Sequence, residues 1–312
     1  MLNRLTRCVF GNVYERFDTM FLVLLGVQYF NQGSKVLTGL ATQNLFKESF
    51  NLDPGTVEVL GGIIALPWTF KILYGLISDN VPIYGSKRRS YCVLLSFVQF
   101  VSCLVLTAFA DTNVYFSTLL LTIMSMTVAA MDVIVDSIMV IQSRNDPEAG
   151  SEVLQSYSWV CLAIGGVIAS VEAAYLTEYL HPRWSFAVSC LPSLVLLVVS
   201  LRLRPAIEAG DSEEVPESLA AEFRKNMQEI FTAIKIPLFH RVLIFLVLTG
   251  LIPSFGTFGY YFMLDVVQIS KFTYSLLGVL GFFCLLIGSS TYQHTGLSRK
   301  EFRTLILYDM AI

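Results

Sequence analysis

Charged residues are scarce in this 312-residue chain, and that scarcity excludes an ordinary soluble domain. Asp, Glu, Lys and Arg together make up 14% of the sequence, whereas 54% of the residues are hydrophobic. Soluble domains carry roughly a quarter charged residues, so the composition indicates a membrane protein. The three histidines lie at the edges of loops, and the six cysteines form neither a CxxC pair nor a Cys/His cluster. Neither residue type therefore indicates a metal site or a disulfide framework.

Motifs for soluble catalysis are also missing. The sequence contains no nucleotide-binding glycine loop, no metalloprotease motif, and no acid pair or nucleophile at a catalytic spacing. We therefore predict that the protein is not an enzyme and uses no cofactor, metal or nucleic acid. The N-terminus has no short apolar core followed by a small-residue cleavage site, so a removable signal peptide is not expected.

Eight apolar segments are long enough to cross a bilayer as helices, which requires about 20 residues each. The four without any charge are residues 91–110, 184–201, 242–264 and 272–292. The four that contain a few charges are residues 21–45, 59–78, 114–140 and 157–180. Residues 304–312 resemble the beginning of a ninth segment. The pattern predicts an all-α polytopic membrane protein.

Lysine and arginine are distributed unequally between the two sides that these spans define. Of the 21 basic residues, sixteen fall on the side of the N-terminus and two, Lys35 and Lys71, lie inside spans. The opposite side holds only Lys47, Arg183 and Lys271. Because cytoplasmic loops carry the excess of basic residues, we predict a cytoplasmic N-terminus. The membrane itself, plasma or organellar, is left open.

A polar segment divides the chain after its sixth span. Residues 204–237 contain the acidic run 208–214 and three prolines, and residues 219–234 within them predict a short surface helix. We therefore predict a six-span bundle over residues 1–203, a cytoplasmic linker over 204–237, and a partial second bundle over 238–312. Two bundles joined by a long linker are typical of secondary transporters. Here the second bundle has two spans and the start of a third.

Six charged residues lie within the predicted spans, and four of them, Lys35, Lys71, Asp132 and Asp136, are the candidates for a function. Lys71 is about 12 Å from the cytoplasmic end of its helix and Asp136 about 9 Å, from the helical rise per residue. Asp132 lies one turn deeper, on the same face as Asp136. Each charge costs roughly 2.5–3.5 kcal/mol at mid-membrane, which favours a function in substrate or proton handling. Two alternatives stay open. A pair of Lys71 and Asp136 can have the purely structural role of holding two helices together. Lys35 can either receive an anionic substrate or extend its ammonium group to the membrane surface.

Asp79 ends the second span, where an acid is electrostatically misplaced. The C-terminus of a helix already carries partial negative charge. Arg88 and Arg89 follow in the next loop and are the expected compensation. Such a cluster predicts a gate on the cytoplasmic side that includes Gly75. Ordinary cytoplasmic basic charge explains the arginines but neither the acid nor the glycine.

Several segments of the first four spans form a recognisable set. They are residues 28–33, Leu66-Pro67-Trp68 with Lys71, Gly75, Ser78-Asp79, Val81-Pro82, Gly85, Arg88-Arg89-Ser90-Tyr91, and Asp132 to Asp136. This set resembles the folate-biopterin transporter family, a branch of the major facilitator superfamily. The five residues between Asp79 and Gly85 are a longer form of the superfamily loop and are similar to this branch in particular.

The resemblance implies a major-facilitator-like fold and uptake of folates or pterins, coupled to protons. It places Lys71, Asp132 and Asp136 at positions where such proteins keep charge, on the expected pathway for substrate and protons. Lys35 joins this pathway from its chemistry, as a cation that suits the glutamate tail of a folate. It also assigns Gly85 to the gate with Gly75, Asp79, Arg88 and Arg89. The expected partners are a small solute, protons and the lipid bilayer. Compared with that family, about four spans of the second bundle are missing, so we expect a shortened chain or a fragment of a twelve-span carrier. A binding or regulatory membrane protein without transport stays open for the same reason. A carrier of another small solute also stays open, because a fold does not fix its substrate.

Overall fold

A computed structural model describes residues 13–84, 86, 88–147, 149–204, 219–250 and 255–294. Within these ranges the regular secondary structure is helical, without a β-strand. Six helical segments are long and apolar enough to cross a membrane: Pro54–Asn80, Arg89–Phe109, Val114–Ser143, Gly150–Tyr179, Pro182–Arg202 and Lys271–Tyr292. They correspond to six of the eight predicted spans. Residues 304–312, with the suggested ninth span, lie outside the described part.

The helices are numbered in chain order. The first half contains α1 (Val13–Arg16), α2 (Thr19–Gly33), α3 (Lys35–Asn44), α4 (Pro54–Ala65), α5 (Lys71–Asn80), α6 (Arg89–Phe109), α7 (Val114–Ser143), α8 (Gly150–Tyr179) and α9 (Pro182–Arg202). After the segment 205–218, which is not described, follow α10 (Leu219–Ile234), α11 (Pro237–Gly250), α12 (Gly256–Asp265) and α13 (Lys271–His294). The helix predicted within the linker has the bounds of α10.

The first predicted span is built from two shorter helices. Residues 21–45 form α2 and α3, which meet at Ser34. Ser34 Oγ donates to the carbonyl of Phe30 at 2.9 Å, and a Gly-Ser pair with such a side-chain bond is a common site of helix bending. Of the seventh predicted span, the structure describes residues 242–250, which lie in α11, and residues 255–264, nearly all of which lie in α12. Apolar composition predicted the first span but not its interruption at Ser34.

The second span is bent at Pro67. Residues Leu66–Phe70 form a 3-10 turn between α4 and α5, because proline has no N–H for the helical hydrogen bond and its ring crowds the preceding turn. Two side chains satisfy carbonyls at this turn: Tyr74 donates to Pro67 O at 3.0 Å and Thr69 to Leu66 O at 2.7 Å. The turn sets the positions of Trp68 and Lys71.

The helix surfaces are apolar outside and polar inside. On α6, the exposed residues Leu94, Phe97, Val101 and Leu104 form one stripe, whereas Ser96, Gln99 and Ser102 are buried. On α9, Ser185, Ser189, Ser193 and Ser200 are buried and Leu191, Leu194 and Val198 are exposed. Water would favour the reverse arrangement, and polar groups in membrane helices face neighbouring helices. This is an integral, multi-pass membrane protein.

Glycines allow α8 to contact two other helices closely. A Cβ atom on Gly33 of α2 would lie 2.0 Å from Leu162 O, and one on Gly165 of α8 only 2.3 Å from Phe30 O. On the neighbouring position, a Cβ on Gly166 would overlap the ring of Phe282 in α13. The Gly165-Gly166 pair thus brings the α2 backbone and the Phe282 ring of α13 against α8, which is how small residues act in membrane helices.

Candidate functional site

Lys71 and Asp132 form an ion pair between α5 and α7. Lys71 Nζ contacts Asp132 Oδ2, and Gln32 Nε2 from α2 donates to the other carboxylate oxygen. The side chain of Asp132 is 7% exposed and that of Lys71 39% exposed. A buried carboxylate needs both an opposite charge and hydrogen bonds, because its desolvation is expensive. The lysine and the amide supply both, so α7 can hold an acid at this depth.

Asp136 has a different partner from the one expected. The sequence predicted that Lys71 and Asp136 meet, since they lie at similar depth. Instead Tyr29 Oη of α2 donates to Asp136 Oδ1 at 2.7 Å, and the lysine pairs with Asp132. The helix rise gives depth but not the rotation of α5 about its axis, and that rotation selects the deeper acid. Asp136 remains in the same cluster, one turn of α7 away.

Trp68 connects the two lysines of the first two spans. Lys71 Nζ lies 4.6 Å from the centre of its ring and Lys35 Nζ lies 4.0 Å from it. An indole face attracts cations through its quadrupole and stabilises an ammonium by about 0.5–2 kcal/mol, more when water is excluded. Among the described residues, no carboxylate lies within ion-pairing distance of Lys35. Lys35 is therefore the cation of this cluster that can receive an anion.

A cavity of about 330 Å³ lies beside Lys35. Its lining residues come from the first four spans, the sixth span and α12: Asn31, Ser34, Lys35, Thr38, Gly39, Thr42, Gln43, Phe46, Val57, Gly61, Ile64, Ala65, Trp68, Gln99, Leu121, Met124, Ser125, Val128, Ser189 and Thr257. Lys35 is the one charged residue among them. The volume is at the lower end of the range for small-molecule sites. A mostly apolar cavity with one cation suits an organic anion.

The predicted gate residues are partly assembled at the C-terminal end of α5. Arg88 Nη2 lies 3.3 Å from Asp79 Oδ1, and Arg88 Nε donates to Ser137 Oγ of α7 at 2.9 Å. The arginine side chain is 10% exposed. Arg89 instead donates to Leu201 O, near the end of α9, at 3.2 Å. One arginine thus compensates Asp79, whereas the other contacts a helix C-terminus, where a cation is favourable.

Of the two glycines predicted at the gate, Gly75 and Gly85, the structure describes Gly75. Gly75 faces α7, where an added Cβ would lie 3.4 Å from Val133 Cγ1, an ordinary packing distance. Gly85 lies outside the described residues. The turn that precedes Arg88 contains paired backbone hydrogen bonds between Ile83 and Ser86.

The opposite ends of the helices carry ion pairs that join distant parts of the chain. Lys47, after α3, contacts Asp265 at the end of α12. Lys271 Nζ, at the start of α13, lies 2.5 Å from Glu48 Oε1. Tyr261 donates to Leu52 O at 2.9 Å, and the N–H of Phe272 donates to Glu178 of α8 at 3.1 Å. These contacts fasten α12 and α13 to the first six spans.

Sequence reasoning missed Tyr29, Gln32, Trp68 and Ser137 as partners of the charged residues. Trp68 precedes Lys71 by three residues, so helical spacing alone indicates that they are neighbours. The first span contains the polar residues Gln28, Asn31 and Gln32, which indicates a polar helix face there but does not identify the acid that Gln32 contacts. Ser137 follows Asp136 directly and had no distinguishing signal. Partners on other helices require the packing to be known.

Comparison with known proteins gives one family for this chain. The model of the BT1 family matches residues 32–312. A folate-biopterin transporter of Synechocystis sp. is 33% identical over 199 residues, which are 64% of this chain and 40% of that protein. Probable folate-biopterin transporter 4 of Arabidopsis thaliana is 30% identical over 210 residues, covering 64% and 43% respectively.

A more distant relative matches over more of the chain. Folate transporter 1 of Plasmodium falciparum is 25% identical over 284 residues, which are 90% of this chain and 54% of that protein. The chain therefore spans about half the length of these curated relatives, or less. The residues matched by the family model include Gln32, Lys35, Trp68, Lys71, Asp132 and Asp136.

Proposed function

The chain belongs to the BT1 family, the folate-biopterin transporters, and from this premise we propose that it carries folate- or pterin-like solutes across a membrane. The family consists of transporters rather than enzymes. The observation that carries the proposal is the cluster of Lys35, Lys71 and Asp132 around Trp68, next to a cavity at membrane depth. Such charges are expensive in a bilayer, which favours a functional role.

We assign Lys35 to the anionic end of the solute. A folate carries carboxylates on its glutamate tail, and the ammonium of Lys35 lies over the Trp68 ring, with no carboxylate of the described part of the chain in ion-pairing distance. Lys71 is less available, because it already pairs with Asp132. An arriving carboxylate would compete with Asp132 for Lys71 and loosen the link between α5 and α7. Substrate binding would in this way change a contact between two spans.

We assign Asp132 and Asp136 to proton coupling. Both carboxylates lie on one face of α7, and each has a hydrogen-bonding partner on α2, Gln32 for Asp132 and Tyr29 for Asp136. Protonation of either acid would remove the charge that holds its partner. Protons and solute would thus act on the same contacts between α2, α5 and α7, which is what coupling of two fluxes requires.

We further propose that Asp79, Arg88 and Ser137 close the cytoplasmic side in one state, with Gly75, Gly85 and Arg89 in the same region. This assignment takes the N-terminus as cytoplasmic, from the basic residues on that side. The ion pairs of Lys47 and Lys271 would then lie on the other face of the membrane. In a major-facilitator-like cycle the two faces open in turn.

Uptake of labelled folate into proteoliposomes tests the proposal. We expect an inward-directed proton gradient to stimulate uptake, and Lys71→Ala and Asp136→Asn each to abolish it at normal expression. Asp111→Asn, which removes an exposed carboxylate at the end of α6, is the matched control and should transport normally. Unchanged uptake in both cluster variants would reject the assigned roles. Equilibrium binding without counterflow would instead support a binding protein that does not transport.

A further inference from the structure

The cavity beside Lys35, termed the slot below, is lined by two unlike sets of residues among others. The polar set lies on α2 and α3, where Lys35, Gly39 and Gln43 follow at intervals of one helical turn, and is termed the polar wall. The apolar set lies on α4 and the 3-10 turn, with Val57, Gly61 and Trp68, and is termed the apolar wall. A flat molecule can contact the apolar wall with its ring face and the polar wall with its substituents.

Two of the residues that line this slot, Gly39 of α3 and Gly61 of α4, are glycines without a packing reason for either. A Cβ on Gly39 or on Gly61 would meet no atom within 4 Å, unlike Gly33 and Gly165, where it would overlap a neighbouring backbone. Glycine within a helix costs about 1 kcal/mol relative to alanine. The gain at Gly39 and Gly61 is open space, and side chains there would narrow the slot.

Gln43 offers an unused acceptor at one end of the polar wall. Its Oε1 atom is buried and has no hydrogen-bond partner among the described residues. The neighbouring hydroxyls are already occupied, since Thr42 donates to Thr38 O at 2.7 Å and Thr38 to Lys35 O at 2.9 Å. A buried acceptor without a donor is unfavourable, and a bound ligand can supply the donor. Gln43 is eight residues from Lys35, about 12 Å along a helix axis.

We propose that the slot binds an elongated anion with a flat heterocycle: the ring lies between Gly39 and Gly61, a ring amino or N–H group donates to Gln43 Oε1, and the anionic end meets Lys35. This rests on the proposed function and adds the orientation of the solute. A pterin ring with its amino group fits the Gln43 end. The carboxylate-bearing tail of a folate extends toward Lys35.

Binding of three probes to the purified 312-residue chain tests this orientation. The probes are folate, the neutral ring compound 6-hydroxymethylpterin, and p-aminobenzoylglutamate, which has the tail but no pterin. We expect Gly61→Leu and Gln43→Leu to weaken binding of folate and the neutral pterin at least tenfold, with tail binding changed less than twofold. Lys35→Gln should weaken folate and tail binding by a similar factor and leave the neutral pterin within twofold.

Gly62→Leu is the matched control. Gly62 neighbours Gly61 on α4, and a Cβ added to Gly62 would also meet no atom within 4 Å. Gly62 is not among the residues that line the slot. This variant should bind all three probes like the original chain. If Gly61→Leu does not elute as a monodisperse protein, Gly39→Leu repeats the steric test from the polar wall.

The outcomes separate the orientation from the proposed function. If the original chain binds folate and the glycine variants bind it equally well, the ring does not lie in the slot and the orientation is wrong. The same conclusion follows if Lys35→Gln weakens the neutral pterin as strongly as the tail. If the original chain binds none of the probes, both the orientation and the proposed function are overturned.

Discussion

Ion pairs occur in this protein in two unlike settings, inside the bundle and at the helix ends. Inside, Lys71 and Asp132 share a site with Gln32, and the acid is 7% exposed. At the ends, the pair of Lys271 and Glu48 has side chains that are 21% and 46% exposed. Removal of one partner inside the bundle leaves a buried charge that neither water nor a counter-ion stabilises. At the surface, water solvates the remaining charge and compensates for most of the lost interaction.

This difference teaches which contacts specify the structure and which can open during a cycle. A pair at the helix ends contributes little to stability, so it can separate at low cost. A buried pair separates only when something else takes the place of each partner. A ligand that replaces one partner can therefore open the interior pair, which couples that pair to ligand binding. The pairs at the helix ends can form and break without a ligand.

The largest expected effect is that of Lys71→Met. It leaves Asp132 buried and without a counter-charge, and we expect a loss of about 3–5 kcal/mol in the free energy of unfolding. Denaturant titration in detergent micelles measures it. The double variant Lys71→Met with Asp132→Asn should recover most of the stability, since no uncompensated charge remains. A single variant as stable as the original chain would mean that the pair is not desolvated.

Arg88→Gln should have an intermediate effect. The arginine is nearly buried and connects Asp79 with Ser137 on another helix, so we expect a loss of about 1–3 kcal/mol, typical of hydrogen bonds to charged groups. Arg89→Gln is the neighbouring control, since it removes a single hydrogen bond to Leu201 O at an exposed position. If both variants lost the same free energy of unfolding, the contacts of Arg88 would contribute no more to stability than those of an exposed arginine.

Glu48→Gln should cost less than about 1 kcal/mol, because its pair with Lys271 is exposed to solvent. The loss should shrink further in high salt, which screens exposed charges. The exchanged pair Glu48→Lys with Lys271→Glu should restore the original stability. If Glu48→Gln lost as much free energy of unfolding as Lys71→Met, and salt did not change that loss, ion pairs at the helix ends would not differ from those inside the bundle.

The smallest effect concerns Asp53, which precedes α4 in a loop outside the membrane-spanning segments. Hydrogen bonds from the side chain and backbone of Thr56 hold the pKa of Asp53 below its ordinary value of 3.8. A lowered pKa in the folded state means that the acid stabilises the fold at neutral pH. The contribution is lost as the pH falls through that folded pKa. Melting temperatures from pH 7 downward should therefore fall slightly less in Asp53→Asn than in the original chain.

Prediction from the sequence succeeded for individual spans and failed at their joins. Apolar runs predicted the helices α6, α7, α8, α9 and α13, because the length of a membrane helix is a local property. The division of the first span at Ser34 and the 3-10 turn at Pro67 depend on hydrogen bonds within the bundle. The site residues were identified by the rarity of charge at membrane depth. Their roles in transport remain predictions.

By itself the sequence determined that this chain crosses the membrane several times and that a few charges lie in its spans. Both follow from the cost of placing polar groups in hydrocarbon, which acts on each residue wherever its neighbours are. Tertiary structure decided that Lys71 pairs with Asp132 and not with Asp136, and that Lys35, Gly39 and Gln43 line one cavity. Those outcomes depend on how the helices rotate and bend against one another, and residues far apart in the chain set that packing together.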